Sequence, residues 1–239
     1  MPSMWIVKTG DTLPSLREER GDFEDWITAG LGIPPERVHV VDVVRGESLP
    51  NPALLGGVVI TGSHSMVTER QPWSDRTALW LRNATIAGTP ILGICYGHQL
   101  LAYALDGIVG NNPYGGEYGT LPVTLSEAGR ADPLLGGMGV ELRVHFSHTQ
   151  SVLRLPPGAT ALASSERDPN EAFIYGKNAW GVQFHPEFDA GIVRAYTEAH
   201  RSDLLAAGQD PDKILASIVD TPVGTEILRR FVRAAGLEA

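Results

Sequence analysis

The first half of the chain alternates short β-branched runs with longer amphipathic stretches, and this alternation restricts the fold more than any other feature. Runs rich in Val and Ile, bounded by Gly or Pro, predict strands at residues 5–8, 38–44, 58–61 and 90–94. Helical spacing of apolar residues predicts helices at residues 13–29, 74–87 and 97–105. Ser74 is the expected N-cap of the middle helix, and Gly88 its expected stop. Because several of the strands are apolar throughout, we predict an α/β fold with an open, mostly parallel sheet and helices on both faces.

The second half of the chain has a different pattern. Segments typical of strands, joined by short turns, lie at residues 120–125, 140–146, 160–165, 172–175 and 180–184. After His185 the pattern becomes helical to the end of the chain, with helices expected at residues 190–207 and 212–219 and a terminal helix beyond them. This predicts an added antiparallel β portion and C-terminal helices. Since no repeat or linker interrupts the chain, we predict one domain over residues 1–239.

Charge and composition exclude several classes of function. The chain has 19 Lys and Arg against 28 Asp and Glu, a formal net charge of −9, so nucleic acid is not an expected partner. The longest apolar runs, such as residues 56–60, are too short to span a membrane. Residues 1–8 lack a basic region followed by an apolar stretch, so no secretory signal is expected. The single cysteine excludes an internal disulfide and suggests a reducing compartment, so we predict a cytoplasmic protein.

That cysteine, Cys95, lies in the most informative segment of the chain. A buried strand runs into Gly93-Ile94-Cys95-Tyr96-Gly97, and a helix starts at once. This is the arrangement of a nucleophile elbow with Cys in place of Ser, in which flanking glycines let neighbouring backbone pass close by. The thiol then faces a helix N-terminus, whose partial positive charge favours the thiolate. The alternative is a buried, inert cysteine, and this motif alone does not decide between the two.

A second segment supplies the groups that a cysteine nucleophile needs. Residues 183–187 read Gln-Phe-His-Pro-Glu, at the end of a predicted strand. A nucleophilic thiol requires a base, and the base requires a third group that fixes its tautomer. His185 and Glu187 are of these two types, and their spacing of two lets both point the same way. Together with the elbow, they predict a Cys-His-Glu catalytic triad.

Residues 93–99 (GICYGHQ) and 183–187 (QFHPE) resemble the two signatures of class I glutamine amidotransferases. The likeness is greatest to the glutaminase domain of GMP synthase and its free-standing relatives. It implies the flavodoxin-like fold of that family and a glutamine amidotransferase or glutaminase activity without a cofactor. Compared with that domain, about 30 residues are added before the last helix. The resemblance therefore implies a helical insertion at about residues 189–220.

The resemblance also implies a role for each residue of the triad and the oxyanion hole. Cys95 would attack the side-chain amide of the substrate glutamine and form a γ-glutamyl thioester with release of ammonia. His185 would act as base and then as acid, oriented by Glu187. The backbone N–H groups of Ser63 and Tyr96 would form the oxyanion hole. Ser63 stands where GMP synthases usually have the second glycine of Gly-Gly-Pro.

Four further residues are implied to bind the substrate. Gln99 matches a residue that holds glutamine, and Ser147-His148-Thr149 match the family's Ser-His-Gly, whose backbone holds the α-amino and α-carboxylate groups. A β-carbon on Ser63 or Thr149 narrows the dihedral angles open to a glycine, so the resting site is expected to need a partner to settle into its productive geometry. Glu117 matches a Glu-Phe-Gly element and is left outside the predicted site. His145 and His148 are not expected to hold a metal, because no third ligand follows at metal-site spacing.

What the chain lacks leaves its acceptor open. It contains no glycine-rich phosphate loop for ATP, so an ammonia-accepting synthetase would have to be a separate partner. One alternative activity is a γ-glutamyl hydrolase, which would use the same three residues on γ-glutamyl amines or peptides. A further alternative is a non-catalytic regulatory subunit with the same fold. The presence of Cys95, His185 and Glu187 favours an enzyme.

Overall fold

The computed structural model of the protein describes residues 3–238, so residues 1, 2 and 239, at the ends of the predicted domain, lie outside it. A nine-stranded sheet forms the centre of this part of the chain, with the strand order β2-β1-β3-β4-β11-β10-β9-β6-β7, and β5 and β8 form a small second sheet. The strands are β1 Met4–Lys8, β2 Val38–Asp42, β3 Gly57–Ile60, β4 Ile91–Ile94, β5 Ile108–Asn111, β6 Glu117–Leu125, β7 Glu141–His148, β8 Gln150–Arg154, β9 Ala159–Ser164, β10 Ala172–Tyr175 and β11 Ala179–Val182.

The sheet has a parallel and an antiparallel part. Neighbouring strands from β2 to β11 pair in parallel, whereas those from β11 through β10, β9 and β6 to β7 pair antiparallel. The helices are α1 Pro14–Arg20, α2 Phe23–Leu31, α3 Pro72–Ile86, α4 Tyr96–Ala104, α5 Glu127–Ala131, α6 Ala190–Ala199, α7 Arg201–Ala206, α8 Pro211–Ser217 and α9 Val223–Ala234. The parallel strands and their crossover helices, with the added antiparallel portion, confirm the predicted α/β architecture.

Both faces of the central sheet are covered, which explains why the parallel strands β3, β4 and β11 are apolar and buried throughout. On one face, Trp180 of β11 packs edge-on against Phe231 of α9. On the other face, α3 and α4 bury Leu81 and Leu100. None of the helices described over residues 3–238 is long and apolar enough to cross a membrane.

Helices α6 and α8, in the region of the predicted insertion, pack against β6 of the sheet. Ile192 and Tyr196 of α6 and Ile218 after α8 are buried in a third apolar cluster with Phe23 of α2. These helices are therefore fixed to the rest of the fold by a shared apolar cluster. That residues 189–220 form an insertion within a single domain of residues 1–239 stays a prediction.

Three local predictions are wrong. The helix expected over residues 190–207 is divided at His200 into α6 and α7. The helix expected over residues 13–29 is two helices, because Gly21 has φ of +82° and Asp22 caps a new helix. Ser74 is not an N-cap: α3 begins at Pro72, and the buried Ser74 hydroxyl accepts a hydrogen bond from the Tyr96 hydroxyl at 2.6 Å. Strands β5 and β8 were not predicted; β5 is only four residues long and includes a glycine.

Candidate active site

The turn from β4 into α4 places Cys95 at the carboxyl edge of the parallel strands. Cys95 has φ 50° and ψ −99°, a conformation rare for a residue with a β-carbon and costing about 1–3 kcal/mol. The Cys95 N–H donates to the carbonyl of Val182, the last residue of β11, at 2.9 Å. The neighbouring strand thus holds the strained turn in place. The thiol side chain is buried with 7% of its surface exposed.

The two glycines of the elbow are required by close packing. A β-carbon on Gly97 would lie 2.5 Å from the carbonyl oxygen of Ile60, at the end of β3. A β-carbon on Gly93 would clash with the backbone of Gly97 itself. The helix therefore starts in contact with two strand ends, and only glycine fits at either position.

His185 and Glu187 follow β11, the strand beside β4. His185 Nδ1 lies 2.8 Å from Glu187 Oε1, and both side chains are buried. The His185 N–H donates to the carbonyl of His145 on β7 at 2.8 Å, which anchors the segment to the antiparallel part of the sheet. A carboxylate at Nδ1 fixes the ring so that Nε2 is the nitrogen left for Cys95.

The electrostatics of the site favour a charged His185. Burial by itself lowers the pKa of this imidazole, but the Glu187 carboxylate and the Cys95 sulfur outweigh it and raise the pKa to about 10. The proton is thus retained on His185 at neutral pH when the sulfur carries a negative charge. A protonated imidazole beside a sulfur is the arrangement of an activated cysteine.

Two aromatic rings lie nearly parallel to the His185 ring. Phe188 stacks on it with 3.9 Å between ring centroids and 9° between the planes, and Phe23 lies at 6.3 Å and 16°. Neither ring was predicted to belong to the site. Phe188 could have been assigned to it because it directly follows Glu187, whereas Phe23 is distant from both motifs in the chain.

Phe23 begins α2, and the start of this helix is fixed by a partly buried group of charges around Lys8, at the end of β1. Lys8 Nζ contacts Asp22 at 2.7 Å, Glu24 at 2.6 Å and Asp11 at 2.9 Å. Burial lowers the pKa of Lys8, but the hydrogen bonds to these three carboxylates outweigh it and the pKa rises. Asp22 also caps α2, so this ion cluster sets the start of the helix that carries Phe23.

The two residues predicted for the oxyanion hole come from different loops, one after β3 and one after β4. Tyr96 is the first residue of α4, so its N–H has no acceptor within the helix. Ser63 follows β3, and its hydroxyl accepts the N–H of Ser65 at 3.1 Å. Both residues line the same cavity as Cys95 and His185. Neither Ser63 nor Thr149 is among the described residues with positive φ, so neither adopts the backbone conformation that favours glycine. That the resting site needs a partner to settle stays a prediction.

This cavity measures about 280 Å³ and brings the four predicted substrate-binding residues to the triad: Gln99, Ser147, His148 and Thr149. Gln99 Nε2 donates to the carbonyl of Gln150 at 2.7 Å and to Gln183 Oε1 at 2.9 Å. Both hydrogens of this amide are therefore taken up within the protein. Residues 147 and 148 end β7, which is an edge strand, and such a strand offers unpaired backbone groups to a ligand.

The outer wall of the cavity comes largely from α6, α7 and the residue between them, and it was not predicted. His64 stacks on Tyr196 of α6 at 5.7 Å, and His200 lies 5.8 Å from Tyr118. Burial, followed by repulsion from His200 and His185, lowers the pKa of His64. Asp203 of α7 also lines the cavity, 3.5 Å from His200.

His145 and His148 do not face one another as a metal pair. They lie three residues apart on β7, so their side chains point to opposite faces of the strand. The His145 ring nitrogens lie 3.1 Å from the hydroxyls of Thr120 and Thr221. Burial and the charge of His185 lower the pKa of His145 to about 4, so this ring is neutral near pH 7.

Comparison with known proteins agrees with this geometry. A family model described as glutamine amidotransferase class-I matches residues 53–197, more than half of the chain. The GMP synthase (glutamine-hydrolyzing) of Aeropyrum pernix is 39% identical over 158 residues, which are 66% of this chain and 28% of that protein. A GMP synthase (glutamine-hydrolyzing) subunit of Saccharolobus solfataricus is 35% identical over 133 residues, 54% of this chain and 66% of that protein. The chain thus covers little more than a quarter of the Aeropyrum enzyme.

Solved structures share the fold over nearly the whole chain. A glutamine amidotransferase from Thermotoga maritima superposes with a TM-score of 0.73 at 24% identity, covering 98% of this chain and 99% of that one. A glutamine amidotransferase from Methylobacillus flagellatus gives a TM-score of 0.77 at 24% identity, covering 98% and 94%. At this identity the likeness shows the fold alone.

Fold and site define an α/β protein with a cysteine nucleophile elbow at the carboxyl edge of its sheet. The chain belongs to the class I glutamine amidotransferase family. The family and the class of enzyme predicted from the two motifs are thereby confirmed.

Proposed function

We propose that this protein hydrolyses the side-chain amide of glutamine with Cys95, His185 and Glu187 and delivers the ammonia to an acceptor. The observation that carries the proposal is the convergence of the strained Cys95 elbow and the buried His185–Glu187 pair on one cavity. A nucleophile, its base and the group that orients the base are the components of acyl transfer through a covalent intermediate.

In the first half of the reaction, the Cys95 thiolate attacks the amide carbon of glutamine. The oxygen of the tetrahedral intermediate carries the negative charge, and the N–H groups of Ser63 and Tyr96 are the proposed donors to it. His185 then gives its proton to the leaving nitrogen, the C–N bond breaks, and ammonia departs. A γ-glutamyl thioester on Cys95 remains.

In the second half, His185 is neutral and takes a proton from a water molecule as the water attacks the thioester carbon. The C–S bond breaks, glutamate is released, and the thiolate and imidazolium are restored. Glu187 keeps the same ring nitrogen occupied throughout, so that His185 moves protons only at the nitrogen facing Cys95. Gln99 and the backbone of residues 147–149 are proposed to hold the α-amino and α-carboxylate groups.

The acceptor of the ammonia is proposed to belong to a separate synthetase. Relatives of this chain bear the name GMP synthase, and the Saccharolobus relative is named as one subunit of such an enzyme. This chain aligns with a minor part of the Aeropyrum enzyme. Mixing the purified protein with candidate synthetases and measuring glutamine-dependent amination identifies the partner.

The decisive experiment combines labelling and turnover. A glutamine analogue with an electrophilic group at the δ-carbon is expected to modify Cys95 stoichiometrically, as mass spectrometry of the peptide would show. Ammonia release from glutamine is expected from the wild type and not from Cys95→Ala. A Cys95→Ala variant that keeps full glutaminase activity would refute the assignment of the nucleophile.

A second candidate is hydrolysis of γ-glutamyl amides with larger amines, and the wall supplied by α6 and α7 favours it. The cavity extends past the triad to His64, Tyr196 and His200, with the Asp203 carboxylate at its edge. Glutamine and a γ-glutamyl alkylamine should be compared by kcat/KM in the wild type and in Tyr196→Ala. If the wild type prefers the γ-glutamyl alkylamine and Tyr196→Ala loses that preference, this second candidate is supported. If both proteins prefer glutamine, glutamine hydrolysis is supported.

A further inference from the structure

A buried group of ionisable side chains lies beside the segment proposed to bind glutamine. It consists of Glu117 at the start of β6, His148 at the end of β7 and Glu171 just before β10. Their exposed fractions are 2%, 5% and 0%. One side-chain atom from each lies within 4.8 Å of the others, and His148 Nε2 is 3.4 Å from Glu117 Oε2.

The partners of His148 determine where its protons lie. Its Nδ1 is 2.9 Å from the carbonyl oxygen of Gln150, and a carbonyl oxygen can only accept, so Nδ1 carries a hydrogen. Its Nε2 lies 3.4 Å from Glu117 Oε2, at ion-pair distance, and neither of these buried atoms makes a hydrogen bond within the described part of the chain. Burial raises the pKa of Glu117, but His148, Glu171 and Ser165 outweigh it and lower that pKa, so Glu117 is the ionised carboxylate of the group. The other oxygen of Glu117 accepts the Ser165 hydroxyl at 2.7 Å.

Glu171 has no such partners. Both of its carboxyl oxygens are buried without a hydrogen bond within the described part of the chain. The charged and titratable groups that face it are Glu117, Asp168 and His148, and one ring nitrogen of His148 lies within 4.8 Å of a Glu171 carboxyl oxygen. Burial, followed by the negative charges of Glu117 and Asp168, raises the pKa of Glu171 well above its usual range. Two carboxyl groups so close in a buried site cannot both be ionised.

We propose that Glu171 is a neutral carboxylic acid that donates its O–H to Glu117, and that it thereby positions the Glu117–His148 ion pair and the glutamine-binding segment at residues 147–149. The position of the His148 ring in turn affects Gln99, because the Gln150 carbonyl accepts hydrogen bonds from both His148 Nδ1 and the Gln99 amide. Glu171 is thus a positioning residue that acts through its neighbours. The functional part of the inference rests on the proposed glutaminase activity, whereas the placement of the proton does not.

The same three side chains could also bind a divalent cation. A bound cation and a shared proton require different protonation states of these side chains. A metal would require neutral His148 and ionised Glu117 and Glu171. The proton arrangement is favoured because His148 Nε2 already faces a carboxylate at ion-pair distance. Binding of Zn²⁺ is therefore included as an outcome of the test.

The first measurement is infrared difference spectroscopy of the full-length protein at neutral pH. The wild type is expected to show the C=O stretch of a buried protonated carboxyl, which is lost in Glu171→Gln and kept in Glu198→Gln. Glu198 is a suitable control because it lies exposed on α6. Absence of the band, or one equivalent of Zn²⁺ bound by the wild type and not by Glu171→Gln, overturns the proposal.

The second measurement separates positioning from a merely structural role. Glu171→Gln keeps a hydrogen-bond donor and should keep the KM for glutamine, whereas Glu171→Ala should raise KM about tenfold, the equivalent of 1.4 kcal/mol, with a smaller change in kcat. Raising the pH should also raise the wild-type KM more than that of Glu171→Gln, because only the wild type can lose the Glu171 proton. Equal KM values for all three proteins overturn the positioning role.

If Glu171→Ala does not fold, Glu171→Leu and the alkaline profile of the wild type provide the same comparison. Labelling of Cys95 by iodoacetamide, which needs no glutamine-binding segment, should be the same in every variant that folds. If the wild type turns over no glutamine, the proposed function fails, and the infrared band still decides whether Glu171 carries the proton.

Discussion

Replacing Glu187 by Gln tests the proposed mechanism most directly, because it removes one charge and keeps the size of the side chain. Glu187 Oε1 lies 2.8 Å from His185 Nδ1 in a buried site. At an effective dielectric constant of about 20, two unit charges at this distance attract one another by about 6 kcal/mol. The rise in the pKa of His185 from 6.5 to about 10 corresponds to about 5 kcal/mol in favour of the imidazolium. Burial opposes this rise and Cys95 contributes to it, so Glu187 accounts for several kcal/mol.

Glu187→Gln should therefore lower the pKa of His185 and leave the imidazolium poorly stabilised. The amide can also donate to Nδ1, which would place the remaining hydrogen on the wrong nitrogen for proton transfer. We expect kcat for glutamine hydrolysis to fall about 10²- to 10⁴-fold, the range of a general acid–base contribution. KM should change little, because Glu187 is not among the groups proposed to bind glutamine.

The same variant should alter the dependence of stability on pH. Folded His185 has a raised pKa, so the stability it contributes is fully present below pH 6.5 and is lost as the pH rises to about 10. Glu187→Gln should flatten this decline. Chemical denaturation across this pH range measures it, and NMR of labelled histidine gives the titration of His185 itself.

Glu198→Gln, which removes an exposed carboxylate, is the matched control and should leave both the titration and kcat unchanged. An unchanged His185 titration in Glu187→Gln would refute the role of Glu187 in stabilising the imidazolium. A fall in kcat of the same size in Glu198→Gln would refute it equally.

Three further changes test how the site is built. Gly97→Ala should destabilise the protein by about 1–3 kcal/mol in thermal or chemical denaturation, because its β-carbon would lie 2.5 Å from the Ile60 carbonyl; an unchanged midpoint would contradict the packing argument. Lys8→Met should lower the free energy of unfolding by about 3–5 kcal/mol, since it removes the closest cation from the buried Asp22 carboxylate and leaves only Arg17 at 3.6 Å; denaturation at neutral pH measures this, and wild-type stability would contradict it. Phe188→Ala removes the ring stacked at 3.9 Å on His185 and should lower kcat more than it changes KM, whereas intact kcat would exclude a role in holding that ring.

Much of the fold was predictable because it is encoded locally. Val- and Ile-rich runs and helical spacing located the central parallel strands and their crossover helices, with boundaries off by a few residues. The elbow at residues 93–97 was also predictable, since a strand, two glycines and a helix stand in direct succession. Predictions failed where one residue changed the backbone: the positive φ of Gly21 and the cap on Asp22 divide a stretch with continuous helical spacing.

Part of the site was predictable for a related reason. His185 and Glu187 lie two residues apart at a strand end, so their hydrogen bond is a local feature. That they meet Cys95 follows from β4 and β11 being neighbours in the sheet, although 90 residues separate Cys95 from His185 in the chain. The family motifs predicted this meeting, and residue spacing alone did not.

Only the tertiary structure decided the surroundings of the triad. Strands β5 and β8 pair with one another, and α6 brings Tyr196 against His64 in the wall of the cavity. Glu117 and Glu171 come from different strands and become ionisable neighbours only when the sheet forms. The sequence by itself determined most of the central strands and helices and the catalytic motifs, because periodicity and turn residues act over a few positions. Pocket walls, buried charges and pKa values depend on which distant segments pack together, and no local pattern specifies that.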